Sequence, residues 1–201
     1  MDVYTTEEQQ VEAIKKWWRD NGKAVVLGAV IGLGGLYGWR YYQAEMETGR
    51  EQASDAYTQV VSALVAGDAQ AEEKAATFIK DHEGAYTSLL ALQLAKSFVE
   101  AGDLTLAAEQ LRRVQSSKDD TLKTLATVRL ARVEAELGNY DAALSQLNSV
   151  TTDSWKAQVE ELRGDIELRR GDEAAARSAY AASIAAATNP VVQMKLDNLS
   201  Q

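Results

Sequence analysis

Few residues in this chain could do chemistry. Its 201 residues include one histidine, His82, and no cysteine. The missing thiols exclude a thiolate nucleophile, a disulfide framework and cysteine-ligated zinc, and one imidazole cannot form a His-pair metal site. His82 stands in Lys80-Asp81-His82-Glu83-Gly84, a helix-end sequence. No motif there supplies a nucleophile or an orienting acid, so it reads as a solvated turn histidine. Two carboxylate pairs, Asp119-Asp120 and Glu160-Glu161, would need burial to divide into acid and base. Their surroundings read as solvated helix starts or faces. Gly32-Leu33-Gly34 begins like a dinucleotide fingerprint, but Tyr37 stands where its third glycine belongs. The expectation is a non-enzymatic chain with no cofactor and no metal.

Shape must then carry the function. The chain has a single proline, Pro190, only 7% aromatics, and abundant Ala, Leu, Glu and Gln, which predicts an all-α fold. Its 21 basic and 30 acidic residues give a net charge of −9, the wrong sign for gripping nucleic acid. The mean hydropathy of −0.29 is that of a soluble protein. That average conceals the uncharged run Ala24 to Trp39, AVVLGAVIGLGGLYGW.

Sixteen helical residues span roughly 24 Å, and extension to Tyr42, with Arg40 snorkelling, gives about 28 Å. This is the short end of a bilayer-spanning helix. Trp17 and Trp18 before it, and Tyr37, Trp39, Tyr41 and Tyr42 at its far end, fit interfacial belts. The glycines of the run weaken a helix in water but are tolerated in lipid. The segment before it is long and acidic, and Tyr42 occupies a position where a signal-peptide cleavage site needs a small residue, so an uncleaved anchor is expected. Lys15, Lys16, Arg19 and Lys23 precede the span, against Arg40 and Arg50 after it. The positive-inside rule then puts the N-terminus in the cytoplasm and the C-terminal part in the periplasm of a bacterial inner membrane. Trp17, Trp18 and these cations form either an interfacial or docking helix, or simply a topogenic flank. Gly28, Gly32 and Gly35 share one helix face, which is either a contact surface for another membrane helix or ordinary glycine enrichment.

The remainder repeats. VEAGDLTLAAEQL, AELGNYDAALSQL and LRRGDEAAARSAY align on Gly102, Gly138 and Gly171. Each glycine is followed by Asp or Asn, suited to cap the next helix. Alanine lies five residues later at Ala107, Ala143 and Ala176, and a small residue seven earlier at Ala95, Ala131 and Gly164. Leu111, Leu147 and Tyr180 lie nine residues on. Small residues on both sides of a turn let two antiparallel helices pack closely. The period and offsets resemble the tetratricopeptide repeat (TPR). Glu134 and Glu167 depart from it, standing where an aromatic residue is usual.

The expected organisation is a cytoplasmic amphipathic segment at 1–23, a transmembrane helix at 24–42 and a periplasmic TPR-like solenoid at 43–201. A degenerate repeat near 49–81 leads repeats near 86–117, 119–150 and 153–187, then a capping helix at 190–199. Gln43 to Thr48 is charged and helix-compatible, so the anchor can continue into the domain as one helix, with Thr48-Gly49 the expected place for any break, and Val191, Met194, Leu196 and Leu199 are expected to cover the open end of the stack. Carrying over the repeat offsets, a partner groove would be lined by Leu89, Leu92, Lys96 and Val99, by Leu125, Val128 and Arg132, and by Gln158 and Asp165. The aliphatic members serve equally well as core between repeats.

The anchor between VEAIKKWWRDNGK and GWRYY, the alanine-rich repeats and the ending QMKLDNLS together resemble the YfgM family, ancillary subunits of the SecYEG translocon. That resemblance implies a single-pass inner-membrane protein associated with SecYEG and with the periplasmic chaperone PpiD. It implies transfer of unfolded exported polypeptides to periplasmic chaperones. It also implies an alternative role, regulation of a cytoplasmic stress-response regulator through the N-terminal segment.

Overall fold

A computed structural model describes residues 7–199, with side chains from Gln10 onward. Residues 1–6 of the N-terminal segment and residues 200–201 of the C-terminal region lie outside the described residues. The chain divides into two compact units, Met1–Gln52 and Ala53–Gln201. The secondary structure is all α-helix apart from one short 3-10 turn at Asp153–Trp155, with no strand among the described residues.

The long helix α1 runs Glu7–Ala66. It continues from the anchor into the repeat domain as one helix, and the expected break at Thr48-Gly49 does not occur. The Thr48 hydroxyl donates back to the Ala44 carbonyl at 3.0 Å, and one glycine among good helix formers costs only about 1 kcal/mol. In the first unit, Val26, Leu27, Val30, Ile31, Leu33 and Leu36 are all exposed. Such a bare apolar surface is unfavourable in water and favourable in lipid. Among the described residues, α1 is the one helix long and apolar enough to cross a membrane.

The second unit contains the end of α1 and eight further helices. They are α2 (Ala71–Asp81), α3 (Ala85–Ala101), α4 (Leu104–Gln115), α5 (Asp120–Glu136), α6 (Tyr140–Asn148), α7 (Lys156–Arg170), α8 (Glu173–Ala186) and α9 (Pro190–Asn198). Helices α3/α4, α5/α6 and α7/α8 form the TPR-like hairpins. Gly102, Gly138 and Gly171 have φ of 85°, 81° and 92°, which stops each first helix. The amides of Asp103, Asn139 and Asp172 then reach back to the carbonyls of Phe98, Glu134 and Glu167 at 2.8–2.9 Å. This is the Schellman closure of a helix end. Of the three expected side-chain caps, only Asp172 forms one, accepting from the Ala175 amide at 2.9 Å. Asp103 and Asn139 form no side-chain cap bond.

Close packing follows from the small residues. Ala107, Ala131, Ala143 and Ala176 are completely buried, and Leu111, Leu147 and Tyr180 fill the space beyond. The first core is built by α2–α5 and the end of α1, including Phe78, Leu90, Leu94, Leu111 and Leu130. The second joins α5, α6 and α7 around Ala131, Leu147, Val159 and Ile166. A small third cluster seats α9 through Val192 against Ala176 and Tyr180. This register differs from expectation. Val192 is the buried residue, Leu196 and Leu199 pack beside it, and Val191 and Met194 are exposed. Pro190 in the first turn, with the Asn189 side chain accepting from the Val191 amide, sets that start.

Glu134 shows how the fold handles a departure from the repeat pattern. Its side chain is 5% exposed. It accepts from the Arg112 guanidinium on α4 and from Asn139 Nδ2 at 2.8 Å. A charge pair across the hairpin boundary thus stands where the repeat usually places an aromatic ring.

Candidate functional site

Helices α3, α4 and α5 enclose an open recess of about 460 Å³. Its floor is aliphatic, with Leu92, Ala95, Leu104, Leu111 and Val133, and the exposed Val99 lies at its edge. Five charged residues form the rim: Lys96, Glu100, Arg129, Arg132 and Glu136. Three of them are already engaged. Lys96 Nζ lies 3.5 Å from Glu100, and Arg169 of α7 donates to Glu136 at 2.6 Å. No carboxylate among the described residues pairs with Arg129 or Arg132. Two free guanidiniums beside an apolar floor suit a segment that presents aliphatic side chains and a carboxylate together.

Four of the nine expected groove residues, Leu92, Lys96, Val99 and Arg132, come together here. Leu89 is half-buried on α3 and does not line the recess. Leu125 packs on the first core, and Val128 belongs to the second. Gln158 is exposed on α7, away from the recess. Of the charged rim, Glu100, Arg129 and Glu136 are absent from the expected groove. Arg129 precedes Arg132 by three residues, one helical turn on the same face, which is the signal that could have found it.

Asp165 is engaged by the chain itself. Lys195 of α9 donates to Asp165 at 2.7 and 2.9 Å and to Glu161 at 2.9 Å. Tyr180 donates its hydroxyl to Asp165 at 2.8 Å, and the lysine lies 5.7 Å from the Tyr180 ring centre. Burial, reinforced by the Asp165 hydrogen bond and the neighbouring carboxylates, holds the Tyr180 phenol well above its ordinary value. Burial alone would lower Lys195, but its bonds to Asp165 and Glu161 outweigh that and raise it. Both shifts are upward, so the stability they contribute is complete below the ordinary values of 10.0 and 10.5 and is lost as pH climbs past them. The protection factors of the α9 amides, taken against the intrinsic base-catalysed exchange rate, should therefore fall above about pH 10, and Lys195→Met should remove the lysine part of that fall. An α9 equally protected at pH 8 and pH 11 would contradict this.

The candidate chemical groups have ordinary partners. His82 is half-buried rather than fully solvated. Its ring stacks on Phe78 at 4.3 Å, with Nδ1 3.1 Å from the Phe78 carbonyl oxygen. Asp119 caps α5, accepting from the amides of Thr121 and Leu122. Glu160 pairs with Arg163 at 3.2 Å, and Glu161 with Lys195. In the first unit, Gly28, Gly32 and Gly35 have nothing within 4 Å of where a Cβ would stand, leaving an open face. Lys15, Lys16, Trp17, Trp18, Arg19 and Lys23 are exposed.

An apolar N-terminal helix, long enough to be a candidate membrane span, ahead of helical hairpins with a recess between them defines a TPR-like protein. Residues 15–201 match the model of the tetratricopeptide repeat-like domain. The chain is 37% identical over its full length to the full length of the ancillary SecYEG translocon subunit of Escherichia coli (strain K12). It is 35% identical to the protein of that name from Aggregatibacter actinomycetemcomitans, covering 98% of this chain and 100% of the relative. The Haemophilus influenzae protein of the same name is 31% identical, over 96% of this chain and 97% of the relative. The chain belongs to the family of ancillary SecYEG translocon subunits.

Proposed function

We propose that this chain is a non-enzymatic accessory of the SecYEG translocon, held in the inner membrane by residues 24–42. Its N-terminus is cytoplasmic, and its TPR-like domain is periplasmic. There the recess between α3 and α5 receives segments of emerging polypeptides or of the chaperone PpiD and passes clients onward. The observation that carries this reading is the aliphatic floor of Leu92, Leu104 and Leu111 beside the unpaired Arg129 and Arg132. The names of the relatives supply the translocon, and the exposed apolar face of α1 supplies the anchor. Joining the recess covalently to a helix that reaches the channel raises its effective concentration toward clients without a tight binding constant. The face of Gly28, Gly32 and Gly35 is the proposed contact with another membrane helix.

A photocrosslinker at Val99 tests the recess. Lys96→Glu with Arg132→Glu should reduce client or PpiD adducts by about tenfold, by reversing charge beside the apolar floor. Both residues are exposed, so folding should be unchanged. Undiminished adducts would remove the recess from the account. A C-terminal reporter active only in the cytoplasm would overturn the orientation.

A further inference from the structure

The surface of helix α1 carries a shallow, open recess of about 580 Å³ within the first unit. It is lined by Trp18, Arg19, Gly22, Lys23, Val26, Leu27 and Val30. Gly22 is buried although its neighbours along the helix are exposed, because the Trp18 indole lies across it. A Cβ on Gly22 would stand 3.2 Å from that ring. Lys15, Arg19, Lys23 and Leu27 follow one another at four-residue spacing, which places them in one row of the helix surface. Lys16 lies beside that row. Cations therefore give way to aliphatic side chains along one face within about two turns. No carboxylate among the described residues pairs with Lys15, Lys16, Arg19 or Lys23. The adjacent row of Trp18, Gly22, Val26 and Val30 adds an aromatic ledge and an apolar track beside that charge.

We propose that this recess binds one anionic phospholipid. Arg19 and Lys23 take the headgroup phosphate, the Trp18 indole lies at the glycerol level, and an acyl chain follows Val26, Leu27 and Val30. Charge complementarity selects an anionic headgroup, since a zwitterionic one brings its own cation against Arg19 and Lys23. Gly22 makes the binding local, because it lets the indole lie flat and leaves the recess beside it. The inference rests on the reading of residues 24–42 as lipid-embedded.

Native mass spectrometry of the full chain in detergent tests this, with phosphatidylglycerol and phosphatidylcholine of identical acyl chains supplied in equal amounts. One phosphatidylglycerol should be retained in about tenfold preference. Arg19→Gln with Lys23→Gln should bring the ratio near one, and Arg19→Lys with Lys23→Arg should keep it. Gly22→Leu, which leaves every charge in place, should also lose the preference. Retention of the preference in Gly22→Leu would show a diffuse cationic field rather than a site and overturn the proposal, as would equal retention of both lipids by the unaltered chain. Displacement by glycerol phosphate at the lipid concentration would equally overturn it. Alkaline carbonate extraction separates the two readings. A chain released from membranes refutes the anchor, whereas one retained without lipid preference refutes the lipid site alone.

Discussion

Arg112→Ala should lower the unfolding free energy by about 3 kcal/mol, read as a fall in the urea midpoint of the full chain in detergent. Arg112 is itself half-exposed and loses little by being removed. The cost falls on Glu134, whose side chain is 5% exposed and would keep only Asn139 as a partner. A buried carboxylate deprived of its cation is among the more destabilising lesions a small domain meets. Glu134→Gln should cost only about 1 kcal/mol, because it removes the charge and leaves Arg112 free to hydrate. The double variant should be more stable than the sum of the two changes implies. Purely additive losses would show that the pair is not coupled.

Gly164→Ala should be nearly as damaging, at about 2–3 kcal/mol. The added Cβ would stand 2.4 Å from Cε1 and 2.5 Å from Cδ1 of Tyr180, closer than atoms can approach. The ring cannot swing aside, since it is 1% exposed and its hydroxyl is held by Asp165. The clash must therefore be relieved by parting α7 from α8, which also disturbs the seat of Val192 and α9. Gly164→Ala in a Tyr180→Leu background should recover much of the loss by removing the ring. Unaltered stability in the single variant would mean that the α7/α8 contact is looser than described.

The hairpins were legible because their signals are local and steric. A glycine at each turn and small residues at fixed offsets have one economical explanation, and the buried Ala107, Ala143 and Ala176 follow from it. Long-range charge was not legible. Lys195 lies 30 residues from Asp165, and nothing in either neighbourhood announces the other. Glu134 looked like a lapse from the pattern until its partner appeared on the preceding helix. The helix-compatible residues Gln43 to Thr48 allow α1 to run on, and a break at Thr48-Gly49 gives one glycine too much weight. The register of α9 was misjudged because Val191 and Val192 are indistinguishable as sequence, and only the Tyr180 cluster chooses between them. Four of the nine expected groove residues line the recess, for a related reason. Repeat offsets identify a face, but Leu125 and Val128 on that face are consumed by packing, whereas Leu92, Lys96, Val99 and Arg132 border open space.

In the proposed function this chain works beside the translocon, with its recess turned to passing polypeptides. The most direct measurement is crosslinking in living cells from photoreactive residues at Gly32 and at Arg132, followed by mass-spectrometric identification of the adducts. SecYEG subunits are expected from Gly32, and PpiD or exported polypeptides from Arg132. Adducts with neither channel subunits nor chaperones and clients would contradict it.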